Sequence, residues 1–253
     1  LDAFYIDTLE VTAGEYKACV DAGWCSYDVD NPDDYYDSTH TYDQNNRAHH
    51  PINYVDWHDA QTYCEWLGKR LPTEAEWEMA ARGPTGRKYP WGNTSDLNCN
   101  YAVSNGDPSA FGGCSTGESM AVGSKPAGVS PYGAHDMIGN VAEWVSDVLG
   151  SNYYCAGHDA TTTELYDLCL PSSPVSLDVV TNPQGPPENN NYQYRVFRGG
   201  SFLDNNPAFL RCSARSGATP LHQDGTIGFR CAGSPCGDGV VQEALEQCDD
   251  LRE

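Results

Sequence analysis

Basic residues are scarce in this sequence. Its 253 residues contain 14 Lys and Arg against 36 Asp and Glu, which gives a formal net charge of −22 at pH 7. Such a charge repels polyanions, so we expect neither nucleic acid nor an anionic membrane surface as a partner. Divalent cations and basic ligands suit this balance better.

Long apolar runs are missing as well. The apolar stretches are only a few residues long, whereas a spanning helix needs ~20, and we therefore expect no membrane insertion. No charged-then-apolar leader opens the sequence, so we expect a processed form. The length allows one large domain or two small ones with a sizeable core.

Zinc-binding cysteine knuckles are absent, yet the sequence contains 11 cysteines. This cysteine usage is typical of an oxidising compartment, so we expect disulfides rather than zinc sites. It also favours a secreted, extracellular protein, or a protein of the periplasm or the cell surface. Closely spaced couples predict the disulfides: Cys19 with Cys25, Cys99 with Cys114, Cys155 with Cys169, and Cys236 with Cys248. Because the count is odd, at least one thiol is free or pairs between chains.

Helical signals are confined to three segments. Each begins with a hydroxyl or carboxylate residue, has an acid three positions later and ends at a glycine: Thr12 to Gly23, Asp56 to Gly68, and Thr73 to Gly83. Strand-like runs occupy residues 3–7, 195–198 and 228–232. Turn-forming residues dominate positions 84–190, which predicts a loop-rich α+β fold held by ions and disulfides.

Two acidic segments lie outside this pattern. The tyrosine-rich stretch from Tyr27 to Tyr42 is interpreted as an insertion, either a surface loop or a contact surface. Residues 234–253 are too short to form a core, so we expect a main domain over residues 1–233 and a cysteine-rich appendage over 234–253. The appendage resembles the CGDG…CDD repeat of secreted myxobacterial proteins, which indicates a bacterial source.

Seven sequence blocks recur in an order that is typical of one family. They are Phe4–Thr12, His50–Trp57, Gly68–Glu78, Pro90–Gly92, Gly139–Trp144, Arg198–Phe202 and Ile227–Cys231. Over residues 3–232 the chain thereby resembles the formylglycine-generating enzyme family, also called sulfatase-modifying factors. The resemblance implies a single compact, loop-rich domain related to C-type lectins and tied together by calcium. It also implies a disulfide between Cys64 and Cys231.

The enzymes of this family oxidise a substrate cysteine with O₂ and a copper ion held by two cysteines after the Gly-Gly-Ser block. In this sequence Asp204 stands where the first cysteine is expected, and the second is absent. A carboxylate is a hard ligand and Cu(I) a soft ion, so we expect no copper and assign no catalytic residue. Cys212 aligns with a structural half-cystine whose partner position is Ala81, which makes Cys212 the candidate for a free, buried, inert thiol.

Calcium sites are the part of the family apparatus that the sequence retains. Residues 135–144 resemble the second calcium loop of the family, and the implied ligands are the side chains of Asp136 and Glu143 with the carbonyls of Gly139 and Val141. The alternative is a turn with solvated acids. The first family site would begin at Asn100 and Tyr101, but Cys114 occupies the region of its acidic ligand.

The preferred functional hypothesis is a secreted, calcium-stabilised binding or structural module that binds a protein, peptide or glycan and is able to self-assemble. Its ligand pocket would be lined by Ser201, Phe202, Asp204, Asn205, Asn206, Arg211 and His222. Two enzymatic alternatives stay open. One is a metal-dependent oxidoreductase that uses Asp204 with His222, and the other is a formylglycine-generating enzyme with displaced thiols, acting on a peptide or thiol substrate.

Overall fold

A computed structural model describes residues 1–28, 39–42, 46–94, 97–106, 112–150, 181–187 and 194–234. Within these residues the helices are α1 (Ala13–Asp21), α2 (Trp57–Trp66) and α3 (Glu74–Arg82), with a short 3-10 helix at Pro126–Gly128. The strands are β1 (Tyr5–Ile6), β2 (Ala142–Val148), β3 (Arg195–Arg198), β4 (Arg215–Ala218), β5 (Ile227–Phe229) and β6 (Ala232–Gly233). None of the helices described is long and apolar enough to cross a bilayer.

The three predicted helices are confirmed, and each has the capping box that its sequence indicates. In α1 the Thr12 side chain accepts a hydrogen bond from the Glu15 amide, and the Glu15 carboxylate accepts one from the Thr12 amide. Equivalent boxes open α2 and α3. The glycines that follow the helices adopt left-handed φ angles, 78° at Gly23 and 66° at Gly83, a conformation that costs glycine little.

The strands are arranged in a four-stranded sheet and a two-stranded sheet. The larger has the order β4-β3-β2-β5, in which β2 runs antiparallel to β3 and parallel to β5, while β1 pairs with β6. The predicted run at 195–198 is β3. The run at 228–232 is divided between β5 and β6 by the buried Arg230, and only Tyr5–Ile6 of the run at 3–7 forms a strand.

Two strands were missed by the sequence analysis. β2, the central strand, lies within the segment interpreted as loops, because nearly all of its residues are buried and no alternation of polar and apolar residues marks it. β4 has the sequence Arg-Ser-Gly-Ala, which contains no residue of high strand propensity. Its partner β3 supplies the pairing that its own sequence does not predict.

The core lies on both sides of β2. Trp144 packs into a cluster with Tyr16 and Phe229 beside α1 and α2. The next residue, Val145, packs into a second cluster with Trp77 beneath α3. Because successive side chains of a strand point to opposite faces, β2 joins the two clusters. It also fixes the position of the polar loop that precedes it.

Three disulfides lie within the described residues: Cys19–Cys25, Cys64–Cys231 and Cys99–Cys114. They are the pairings expected in this part of the chain, and Cys212 is the one free cysteine among the described residues. Cys155, Cys169, Cys236 and Cys248 lie outside the described residues, as does all of the 234–253 appendage except Ser234. Their pairing and the boundary of the appendage stay predictions.

Cys64–Cys231 should stabilise the fold more than Cys19–Cys25, because it closes a separation of 167 residues rather than 6. In the chain-entropy account, the Cys64→Ala/Cys231→Ala variant loses about 4–5 kcal/mol of unfolding free energy and the Cys19→Ala/Cys25→Ala variant about 2 kcal/mol. Urea unfolding of the two variants and the parent chain measures both losses. Equal losses would show that strain or residual structure, rather than loop closure, sets the contribution.

Candidate functional site

Asp204 closes a turn of its own loop. The loop follows Gly199 and Gly200, whose φ angles are 92° and 66°, and it returns so that Asp204 Oδ2 accepts hydrogen bonds from the Ser201 amide (2.8 Å) and the Ser201 hydroxyl (2.9 Å). The position at which the family resemblance expects a copper-binding thiolate therefore holds a hydrogen-bonded carboxylate. This arrangement is a structural cap, and it presents no soft ligand.

The same loop is anchored on Asn105 and Gly113. The Asn105 amide donates to the Asp204 carbonyl (2.9 Å), and the Gly113 amide donates to the Phe202 carbonyl (2.8 Å). Phe202 is only 1% exposed and Ser201 only 4%, so these two residues of the predicted pocket support the loop from below. The exposed members of the predicted set in this loop are Asn205, Asn206 and Arg211.

His222 lies in a different turn from Asp204. Its amide donates to the Thr219 carbonyl, and its Nε2 lies 4.0 Å from Asp224 Oδ2. The Trp57 amide at the start of α2 donates to the Pro220 carbonyl, which attaches this turn to α2. Among the described hydrogen bonds and ion pairs, none joins His222 to Asp204, so the structure gives no support to a metal site built from the two.

Cys212 is fully buried beneath α3. Its carbonyl accepts a hydrogen bond from Arg198 Nη2 (2.7 Å), and the same guanidinium is bound to Glu74 (2.9 Å) and Glu78 (2.5 Å). Burial, followed by the nearby charge of Glu78, raises the pKa of the Cys212 thiol to about 12. Since the thiolate is the reactive form of cysteine, this environment keeps Cys212 inert at neutral pH.

Glu143, a predicted calcium ligand on β2, is bound on both carboxylate oxygens. Arg230 Nε and Nη2 donate to them at 2.7 and 2.6 Å, and Trp77 Nε1 donates to Oε2 at 2.7 Å. Arg230 also donates to the carbonyls of Asp7 and His135. The sequence analysis missed Arg230, although an arginine between apolar residues in the 227–231 block was a signal for a buried counter-ion.

Glu10 is a second residue that the sequence analysis missed. It is 1% exposed, and its carboxylate accepts hydrogen bonds from Asn140 Nδ2 (2.7 Å) and the Val141 amide (3.2 Å), inside the predicted calcium loop. Burial and then the charge of Asp136 raise the pKa of Glu10 well above its usual value. Its signal in the sequence was an acid between Leu9 and Val11.

Asp136, the first predicted ligand of this loop, is also buried. Its Oδ2 accepts a hydrogen bond of 2.5 Å from the Gly123 amide, and its backbone is left-handed with φ 54°. Burial raises the pKa of Asp136, although the Gly123 amide and then Arg230 act in the opposite direction. Glu10, Asp136 and Glu143 thus place three carboxylates around one guanidinium, which leaves an excess of negative charge in a buried site.

The donors at this loop fit a calcium ion in chemical type and in charge, since calcium takes carboxylate and carbonyl oxygens. Within the described residues no three His, Cys, Asp or Glu side chains are arranged to hold a metal ion. The shell would therefore depend on Asp136 and on the carbonyls of Gly139 and Val141, with Glu143 shared with Arg230. This is the mixed set that the family resemblance implies.

The first family site has a disulfide in the region of its acidic ligand. Cys114, which lies in that region, is bonded to Cys99, which directly precedes Asn100 and Tyr101. Cys114 and the following Ser115 adopt left-handed φ angles of 60° and 77° and form a tight turn. A covalent cross-link therefore lies in the region where the resemblance expects a carboxylate, and the assignment of Asn100 and Tyr101 as ligands stays a prediction.

Cys212 should resist alkylation in the native protein. With its pKa at about 12, the thiolate fraction at pH 8 is small, and burial excludes the reagent. We expect no iodoacetamide adduct at Cys212 at pH 8 and complete modification after denaturation without reductant, as measured by peptide mass mapping. Rapid native labelling at this position would contradict the assignment of an inert thiol.

Comparisons with known proteins agree with this geometry. The family model described as Sulfatase-modifying factor enzyme 1-like domain matches residues 1–235. Formylglycine-generating enzyme from Bos taurus is 36% identical over 192 residues, which cover 74% of this chain and 44% of that protein. A second Bos taurus protein, inactive C-alpha-formylglycine-generating enzyme 2, is 33% identical over 200 residues, covering 74% of this chain and 52% of that protein.

The chain spans about half the length of these curated relatives, with 44% and 52% of them covered. Among solved structures, Treponema denticola variable protein 1 has a TM-score of 0.65 at 23% identity, covering 92% of this chain and 84% of that one. This likeness concerns the fold alone, and it confirms the expected loop-rich α+β architecture. On the family match over residues 1–235 and the identity to its curated members, the chain belongs to the formylglycine-generating enzyme family of sulfatase-modifying factors.

Proposed function

We propose that this chain is a secreted, calcium-stabilised binding or structural module that uses the formylglycine-generating fold without its copper-dependent oxidase chemistry. The observation that carries the proposal is the state of the loop after Gly200. Asp204 is held by the amide and hydroxyl of Ser201, and the nearest cysteine along the chain, Cys212, is buried beneath Arg198.

Copper chemistry needs soft ligands that this loop does not supply. Cu(I) is selected by thiolate pairs, whereas an aspartate carboxylate suits hard cations. The loop is also two residues shorter than the family resemblance expects between the Gly-Gly-Ser block and Cys212. One relative is named as an inactive formylglycine-generating enzyme, so loss of activity on this fold has a counterpart among related proteins.

Calcium is the cofactor that the remaining polar residues support. When bound, the ion would neutralise the excess charge of Glu10, Asp136 and Glu143 and fix the loop before β2. The ligands would be Asp136 and Glu143 with the carbonyls of Gly139 and Val141. Because β2 contacts both core clusters, a fixed loop at its start stabilises the fold as a whole.

The exposed residues of the loop after Asp204 would bind the ligand of this module. Asn205, Asn206 and Arg211 are exposed, and Phe209 beside them is 49% exposed. These side chains suit contacts with a protein, peptide or glycan. The three disulfides favour an oxidising location, which agrees with a secreted or cell-surface module.

The absence of oxidase activity is tested with the purified chain, with and without added Cu(I). We expect no stoichiometric copper by metal mass spectrometry, no O₂ consumption and no conversion of a cysteine-containing sulfatase peptide to formylglycine. A copper-loaded formylglycine-generating enzyme assayed in parallel provides the positive control. Peptide conversion or stoichiometric copper in the test chain would replace the binding-module proposal with an enzymatic one.

Calcium binding is tested by chelation. With calcium at about one hundred times its Kd, bound-state linkage adds about 2.7 kcal/mol, which corresponds to a rise in Tm of about 5–10 °C. Asp136→Asn should abolish both this rise and the calcium content measured by mass spectrometry. Asp21→Asn, at an exposed carboxylate on α1, should retain both. A parent chain whose Tm and metal content do not respond to calcium would refute the site.

A further inference from the structure

Two acid-free segments of this acidic chain carry several basic residues. Residues 79–95 and 205–223 contain no Asp or Glu, although the chain has 36 acidic residues in 253. At that average frequency these two segments together would contain about five. They contain five basic residues instead: Arg82, Arg87, Lys88, Arg211 and Arg215.

The two acid-free segments are joined in space. The Cys212 amide donates to the Lys88 carbonyl at 2.9 Å, and Tyr89 Oη donates to the Pro207 carbonyl at 3.3 Å. Lys88 is itself held in a tight turn, because its amide donates to Asn93 Oδ1 at 2.9 Å. The exposed residues Lys88 and Arg211 therefore lie on neighbouring segments, because the backbone of Lys88 is hydrogen-bonded to the residue after Arg211.

Two of the five basic side chains form ion pairs with glutamates of α3. Arg82 forms an ion pair with Glu78, and Arg215 binds the buried Glu74. Arg87 is half-buried and donates to the Pro90 carbonyl. Lys88 and Arg211 are exposed, and within the described residues neither forms an ion pair. Two exposed cations, Lys88 and Arg211, are thus left on an acidic protein.

An exposed aromatic side chain lies on the same segment as Arg211. Phe209 is 49% exposed at the end of a turn in which its amide donates to the Asn206 carbonyl (3.0 Å) and the Ala208 amide donates to Asn206 Oδ1 (3.0 Å). The turn holds the ring outward without help from the core. Aromatic residues and arginine are the types enriched where proteins bind other proteins.

We propose that Lys88, Phe209 and Arg211, here called the basic surface, bind a short acidic peptide segment of a partner protein. The carboxylates of the segment contact Lys88 and Arg211, and an adjacent apolar or aromatic side chain packs on Phe209. This inference rests on the proposed function, since it names the ligand class of the binding module.

The small number of cations favours a peptide over larger polyanions. Anionic lipid surfaces are read by clusters of about 4–8 basic residues, and nucleic acid by 6–10 phosphate contacts. The net charge of −22 also repels extended polyanions. A short segment avoids most of that repulsion, because at physiological ionic strength charges more than about 8 Å away are largely screened while contacts at the basic surface persist.

The test uses the whole chain and a fluorescent peptide of sequence Glu-Asp-Tyr-Glu-Asp, followed by anisotropy, with Gln-Asn-Tyr-Gln-Asn as the neutral peptide. We expect the acidic peptide to bind and the neutral one not to bind. Arg211→Gln or Lys88→Gln alone should weaken binding up to about fivefold, the upper range for an exposed pair, and the double variant more. Phe209→Ser should also weaken it. Lys17→Gln, at an exposed lysine on α1, should leave binding unchanged.

Equal binding of the neutral peptide, an equal loss in Lys17→Gln, or binding of a sulfated oligosaccharide in place of the peptide would overturn this proposal. The oxidase assay is independent of these results. If the chain binds no acidic peptide and also converts no sulfatase peptide, the ligand class is wrong and the binding module stands. If it converts the sulfatase peptide, the binding module itself is wrong.

Discussion

The buried ion pair of Glu143 and Arg230 is the contact on which the rest of the structure depends. It joins β2 to the link between β5 and β6, and its partners Trp77, Asp7 and His135 come from α3, the residue after β1 and the loop before β2. Burying two charges is costly unless their polar atoms are hydrogen-bonded, and these contacts give each side-chain nitrogen of Arg230 and each carboxylate oxygen of Glu143 a partner. In a domain with few strands, this buried ion pair and its hydrogen bonds thus connect elements that are far apart in the sequence.

Around this ion pair the chain keeps the scaffold of its family, while the loop after Gly200 has a carboxylate where the family resemblance expects a thiolate. The Gly-Gly-Ser turn, the buried Arg198 beneath α3 and the loop before β2 are all in place, yet Asp204 serves as the cap of a turn. A fold match therefore describes what holds the molecule together, and the side chains of one loop decide what it does. The family relationship and the loss of the copper ligands are compatible for this reason.

The helices, the strand β3 and the disulfides Cys19–Cys25 and Cys99–Cys114 could be predicted from the sequence, because caps, turns and cysteine spacing act over a few residues, whereas Cys64–Cys231 was expected only from the family resemblance. β2 could not, since a strand buried on both faces lacks a polar period, and β4 owes its form to pairing with β3. At the candidate site, Asp136 and Glu143 could be named from the resemblance. Glu10 and Arg230 could not, because their roles depend on contacts across 131 and 87 residues.

The loop closed by the Cys99–Cys114 disulfide and the loop proposed to bind calcium would respond to different changes in the surroundings. Under the calcium proposal, the rigidity of the loop before β2 would follow the calcium concentration outside the protein, because a bound ion exchanges with its surroundings. The closure of a disulfide-bridged loop depends instead on the redox potential of the surroundings. Through the Gly113 amide, this covalent bridge supports the backbone of the Asp204 loop. The Asp204 loop is therefore supported from two sides, by Gly113 next to this covalent bridge and by the loop before β2, where the Gly139 amide donates to the Gly199 carbonyl and the Asn140 carbonyl accepts from the Phe202 amide.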